Sequence, residues 1–200
     1  FFPLHAGAFP LTELQHLDRT PYTAEQLAWL RGVTAWFPKV WHETSKKCVE
    51  LRSSPGRFRE TYALTIDGVC WMTAAPPDLL DHRVVLDDAF GDVVLTGLGM
   101  GVALVFADRN QRVKSVTVVE RDQRVADLVL PMVTPHLRRL APTLVMADAD
   151  AYDPKRRFDF AFLDHAYEDV STETIARFCE FTSAVVSWWD ERQEVEASWR

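Results

Sequence analysis

Asp92-Val-Val-Leu-Thr-Gly-Leu-Gly-Met-Gly101 sets an apolar run directly before three glycines, and Glu120 closes the next apolar run. The pattern predicts a strand over 92–96, a sharp turn, a helix over 100–110 and a second strand over 115–120. Gly97, Gly99 and Gly101 let the backbone turn tightly and let a ligand lie against it without Cβ interference. Leu98 sits between the first two glycines. The helix that follows offers free N–H groups at its start. An acid about 20 residues beyond such a turn can accept hydrogen bonds from ribose hydroxyls, so Glu120 reads as a ribose hook with Arg121 beside it.

The form of the turn narrows the ligand. A dinucleotide fingerprint places Gly or Ala at the sixth position, and here that residue is Val102. No GK[ST] follows, so the turn is not a P-loop. An uncharged turn without Lys or Arg suits an adenosine-containing ligand that lacks phosphates.

Working outward, strands are expected over 92–96, 115–120, 143–147, 158–163 and 184–189, with helices over 100–110, 122–133 and 171–180. Val-Val-Leu, Val-Thr-Val-Val and Phe-Asp-Phe-Ala-Phe-Leu are nearly continuous in apolar residues, as strands covered on both faces must be. The alternation predicts an α/β, Rossmann-like, doubly wound and mainly parallel sheet of about five strands over 86–200. Only about eleven residues follow the last of these strands, so the sheet is expected to end at a fifth strand, with an edge that a second copy can cover in a homo-oligomer.

Residues 1–85 read as an N-terminal extension. Thr23 is a candidate N-cap for a helix from Ala24 to about Phe37, stopped by Pro38. A short helix is expected near 11–18. Residues 39–59 carry six basic side chains against Glu43 and Glu50. Within them Ser53-Ser54-Pro55-Gly56 reads as a turn. Thr61–Thr65 and Val69–Thr73 flank Ile66-Asp67-Gly68 as a β-hairpin, and a polar helix follows over 77–88.

Composition excludes several classes. The net charge of −7 argues against nucleic acid as a partner. Trp41, His42, Lys46 and Lys47 form the one local basic and aromatic combination, and it reads mainly as a solvated face. Cys48, Cys70 and Cys179 make no CxxC and no disulfide framework, which fits a reducing, cytoplasmic setting. No apolar run approaches the ~18 residues of a membrane span. The histidines show no metal-ligand spacing, so no metal is expected. The chain opens Phe-Phe-Pro without Met, as a piece of a longer product would.

Two further segments follow predicted strands. Asp148 comes after Leu144-Val-Met-Ala147, where a carboxylate can accept from an adenine amino group. Phe158-Asp-Phe-Ala-Phe-Leu163 ends in Asp164-His165-Ala166-Tyr167-Glu168-Asp169. Taken together, the residues from about 84 to 190 resemble a class I S-adenosylmethionine-dependent methyltransferase. Gly97-Leu-Gly-Met-Gly101 matches that family's first motif, Glu120 its second-strand acid, Ala147-Asp148-Ala149 its Gly-Asp-Ala signature, and Asp164 its fourth-strand acid. Val-Val-Glu-Arg-Asp and the preceding hairpin are similar to the spermidine synthase-like branch. That branch carries Asp in the glycine loop, where Met100 stands here.

The resemblance implies S-adenosylmethionine as cofactor, with Glu120 on the ribose, Asp148 and Ala149 on the adenine, and the glycine loop on the methionine part. Methyl transfer to a small-molecule acceptor is the leading expectation. Asp164 would accept from an amine nucleophile, His165 would serve as general base, and Tyr167 would stack on or bond to the acceptor. The rivals are aminopropyl transfer, cleavage of the cofactor, and a cofactor-binding or assembly module without catalysis. Trp188 and Trp189, at the end of the fifth strand, are read as core packing with one of them a candidate substrate platform.

Overall fold

The computed structural model describes residues 22–35, 40–41, 44–46, 49–55, 60–166 and 170–187. The division between two compact units falls between Leu80 and Asp81. The expected helix near 11–18, together with Tyr167, Trp188 and Trp189, lies outside the described residues.

In the first unit, helix α1 spans Ala24–Thr34. Thr23 and Gln26 make a capping box: Gln26 N–H donates to the Thr23 hydroxyl at 3.2 Å, and Thr23 N–H to the Gln26 amide oxygen at 2.8 Å. Four antiparallel strands follow in sequential order, β1 (Thr44–Lys46), β2 (Val49–Pro55), β3 (Glu60–Ile66) and β4 (Val69–Thr73). Asp67 and Gly68 join β3 to β4 with φ of 52° and 81°, the left-handed pair that a two-residue hairpin turn requires. The expected turn at Ser53-Ser54-Pro55 is instead strand: these residues pair with Tyr62, Thr61 and Glu60. Backbone pairing decides the matter there, and Pro55 is tolerated because it closes the strand. Trp41 is only 1% exposed and packs on Tyr62 at 5.5 Å between ring centroids. Its indole is core, so it cannot supply the aromatic half of a nucleic-acid surface.

Helix α2 (Pro76–Asp88) contains the division. The second unit then alternates β5 (Gly91–Thr96), α3 (Val102–Arg109), β6 (Val113–Glu120), α4 (Gln123–Val133), β7 (Thr143–Met146), β8 (Phe158–Leu163), α5 (Thr172–Phe181) and β9 (Thr182–Ser187). The sheet order is β7-β6-β5-β8-β9, and every pair is parallel. This is the expected doubly wound α/β sheet. Its central strands carry nearly continuous apolar runs because both faces are covered: Val93, Val94, Leu95, Ala161, Phe162 and Leu163 are all buried. β9 starts two residues earlier than expected, directly after Phe181, with no intervening loop.

The topology places the site. From β5 the chain winds outward through β6 to β7, then returns past β5 to build β8 and β9 on the other side. Such a reversal opens a crevice at the carboxyl ends of the two strands that flank it. Here those ends are Thr96-Gly97 and Leu163-Asp164. Among the described residues, no helix is long and apolar enough to cross a membrane.

Candidate functional site

The glycine turn is shaped by its contacts. Gly97, Gly99 and Gly101 have φ of 81°, 49° and 77°, which L side chains rarely adopt. A Cβ on Gly97 would stand 2.4 Å from the Asp164 carbonyl oxygen, and one on Gly101 would stand 2.8 Å from a Val133 methyl. The turn is therefore pressed between the end of β8 and helix α4. Gly101 caps α3 without a side-chain bond to the helix N-terminus.

Glu120 and the turn form one unit. The carboxylate is 8% exposed. Leu98 N–H donates to Oε2 and Asp122 N–H to Oε1, each at 2.8 Å. Both oxygens are thus fixed by backbone donors, and each keeps a further lone pair for a hydroxyl. Leu98 contributes this amide while its side chain is buried. Asp122 caps α4 through Arg124 N–H at 2.8 Å, and its carboxyl is held below the usual carboxylate range, chiefly by the Arg124 side chain. Arg121 is exposed on the intervening residue.

After β7, Asp148 caps a 3-10 turn, Ala149–Ala151, by accepting Asp150 N–H at Oδ1 (3.0 Å). Asp148 is exposed, and its Oδ2 makes no hydrogen bond among the described residues. Ala149 is buried in the core cluster with Val119 and Leu163.

After β8, the neighbours Asp164 and His165 take different partners. Asp164 Oδ2 lies 3.2 Å from Nε2 of His82, a residue of α2 that is 2% exposed and set edge-on to Phe162 at 5.6 Å. An ionised carboxylate only accepts, so His82 is the donor. Asp164 Oδ1 carries no hydrogen bond among the described residues, and the side chain is 27% exposed. His165 points the other way. Its Nδ1 is 2.7 Å from the Thr96 hydroxyl and its Nε2 is 3.2 Å from Asp150 Oδ1. Asp150 Oδ1 also accepts from Thr174 Oγ1 at 2.6 Å, and Arg177 donates to the carbonyls of Ala149 (2.7 Å) and Asp150. The Thr174 hydrogen bond, with His165 and Arg177 beside it, holds the Asp150 carboxyl below the usual range.

The structure therefore brings Gly97, Leu98, Gly99, Gly101, Glu120, Asp148, Ala149, Asp164 and His165 to one end of one sheet. Sequence reasoning missed His82, Thr96, Asp150 and Thr174. Asp150 was visible only as one acid in a polar loop, and His82 lies 82 residues from its partner with no spacing to betray it. Among the described residues, no cluster of His, Cys, Asp and Glu is arranged to hold a metal ion.

No family model and no curated protein matches the sequence. Solved structures do. A Streptococcus mutans protein described as a SAM-dependent methyltransferase superposes with a TM-score of 0.50 at 15% identity, covering 74% of this chain and 42% of that one. A SAM-dependent methyltransferase from Thiobacillus denitrificans, in complex with S-adenosyl-L-homocysteine, gives 0.44 at 16% identity, over 56% of this chain and 48% of the other. The spermidine synthase from Thermotoga maritima gives 0.42 at 17% identity, over 62% and 45%. The match spans less than half the length of each of these three proteins. The likeness to the Streptococcus mutans protein shows a Rossmann-like α/β fold.

Proposed function

We propose that the chain binds S-adenosylmethionine at the β5–β8 crevice and transfers its methyl group to a small-molecule acceptor. The observation that carries this reading is the Leu98–Glu120 bond, which joins the glycine turn and the second-strand acid into a single preformed surface. The residues present fit the cofactor. Glu120 would accept from the ribose hydroxyls, Asp148 Oδ2 and the Ala149 backbone would face the adenine, and the Gly97–Gly101 turn would lie along the methionine part. When bound, S-adenosylmethionine supplies a methyl group on a sulfonium as the electrophile.

The chain's own part in the chemistry centres on Asp164. His82 fixes one of its oxygens from the buried side and leaves the other free to receive a proton from an amine or hydroxyl nucleophile. Held geometry of this kind lowers the entropic part of the barrier. Met100 is fully buried, so the glycine turn presents apolar packing where aminopropyltransferases present a carboxylate. This favours methyl over aminopropyl transfer.

Calorimetric titration with S-adenosylmethionine and S-adenosylhomocysteine tests the reading. Micromolar binding is expected, about −8 kcal/mol. Glu120→Ala should weaken it at least a hundredfold, because two backbone amides lose their acceptor as well as the ribose losing its partner. Asp148→Ala should weaken it about tenfold, since Asp148 is exposed. No binding by folded wild-type protein would sink the proposal. Binding without turnover across an acceptor screen would favour a cofactor-binding module instead.

A further inference from the structure

We infer that His165 is a positioning residue, not the proton acceptor: it straps the loop 148–152 to the end of β5 and thereby sets affinity for the adenosine part of the cofactor. The inference rests on the proposed cofactor site and assigns a role within it. Both ring nitrogens of His165 are occupied inside the protein, Nδ1 by Thr96 and Nε2 by Asp150. The partners fix the tautomer. Asp150, as a carboxylate, only accepts, so Nε2 carries the proton. Thr96 Oγ1 already accepts Asp164 N–H at 3.1 Å, and its one proton goes to Nδ1 at 2.7 Å in preference to the Phe162 carbonyl at 3.5 Å. A neutral imidazole bonded in this way has no lone pair to offer a substrate.

The same bonds form a continuous line across the crevice end of the sheet. It runs from Thr96 at the end of β5, through His165 after β8, to Asp150 after β7, and on to Thr174 and Ser171 at the start of α5. The loop it holds is the one whose Asp148 and Ala149 would face the adenine. β7, which precedes that loop, is the sheet's edge strand, and its residues are exposed or half-buried. The loop therefore gains its fixed position from the far side, through His165 and α5, more than from its own strand. Side chains that hold a binding loop in place before the ligand arrives raise affinity by removing the cost of ordering it.

Two measurements test this. The first needs no cofactor: amide hydrogen exchange at Ala151 and Tyr152, whose N–H groups bond within the turn to Asp148 and Ala149. His165→Ala should speed exchange there at least tenfold relative to wild type. Unchanged exchange overturns the strap. The second is calorimetric titration with S-adenosylhomocysteine. His165→Ala and Asp150→Ala should each raise Kd about tenfold, and the double variant should also lose about tenfold, not a hundredfold. Asp150→Asn should stay within twofold of wild type. Its amide oxygen can still accept from both His165 and Thr174, while its NH2 takes the place of Oδ2, which has no partner among the described residues. Independent, multiplying losses, or wild-type affinity in His165→Ala, overturn the link to binding. Should His165→Ala fail to fold, Asp150→Ala and Thr174→Val carry both measurements. Absence of binding by wild type would fail the proposed function, with the exchange result still deciding the strap.

Discussion

Asp108→Ala should destabilise the protein by about 3 kcal/mol, since each buried amide left without an acceptor costs about 1–3 kcal/mol and water recovers part of that at a loop surface. Asp108 sits in the last turn of α3 and is 2% exposed. Its carboxylate accepts the backbone N–H groups of Arg138, Arg139 and Leu140 at 2.8, 2.9 and 2.8 Å. The Arg139 guanidinium then donates to the carbonyls of Asp108, Asn110 and Val113, closing the segment before β7 onto the start of β6. Removing one side chain therefore opens a junction of three elements. Asp108→Asn should cost less, about 1–2 kcal/mol. Its amide oxygen can keep the Arg139 and Leu140 bonds, while its NH2 would meet the Arg138 N–H. Urea denaturation checks both variants, with the midpoint falling at unchanged slope. This junction is at the end of the sheet opposite the glycine turn, so affinity for S-adenosylhomocysteine should be unchanged. A loss of affinity with retained stability would refute the assignment of Asp108 to the scaffold.

The contrast between Asp108 and Glu120 shows what a sequence discloses. Glu120 was legible because its meaning is local: an apolar strand, an acid at its end, a fixed distance from a glycine turn. The strands β5, β6 and β8 were legible for a related reason, since burial on both faces forces continuous apolar runs. β1 and β2 were not. Thr44-Ser-Lys46 and Ser53-Ser-Pro55 have turn-like composition, and antiparallel backbone pairing, of β1 with β2 and of β2 with β3, overrides it. Asp108, His82 and Asp150 escaped because each acquires its role from partners far along the chain or in another element. His165 shows a subtler limit. Its position after the fourth strand was readable, and a histidine there suggests a base. What occupies its two nitrogens is a matter of tertiary structure, and that decides between a proton acceptor and a strap.

Gly97→Ala should lower stability by about 3–5 kcal/mol, combining a left-handed backbone penalty of about 1–3 kcal/mol with an overpacking cost of similar size. The second term is unusual in its target. The new methyl would meet the backbone of Asp164, its carbonyl oxygen at 2.4 Å and its carbonyl carbon at 3.3 Å, and the Cα of His165 at 3.3 Å. Backbone cannot swing away as a side chain can, so the ends of β5 and β8 would have to part. Those ends carry Thr96, Asp164 and His165, whose mutual bonds include Asp164 N–H to the Thr96 carbonyl at 3.2 Å. Gly97→Ala should therefore damage binding as well as folding. Affinity for S-adenosylhomocysteine is expected to fall at least tenfold, measured where urea curves show the variant still fully folded. Gly68→Ala, in the β3–β4 turn, is the matched control. Gly68 shares the φ of 81°, yet an added Cβ there meets nothing within 4 Å. Its cost should be the backbone penalty alone, about 1–2 kcal/mol. Equal stability losses at the two positions would mean that left-handed geometry governs the turn and that close approach of β5 and β8 contributes nothing. A larger loss at Gly97, accompanied by weaker binding, would tie the strand-to-strand approach at the switch point directly to formation of the site.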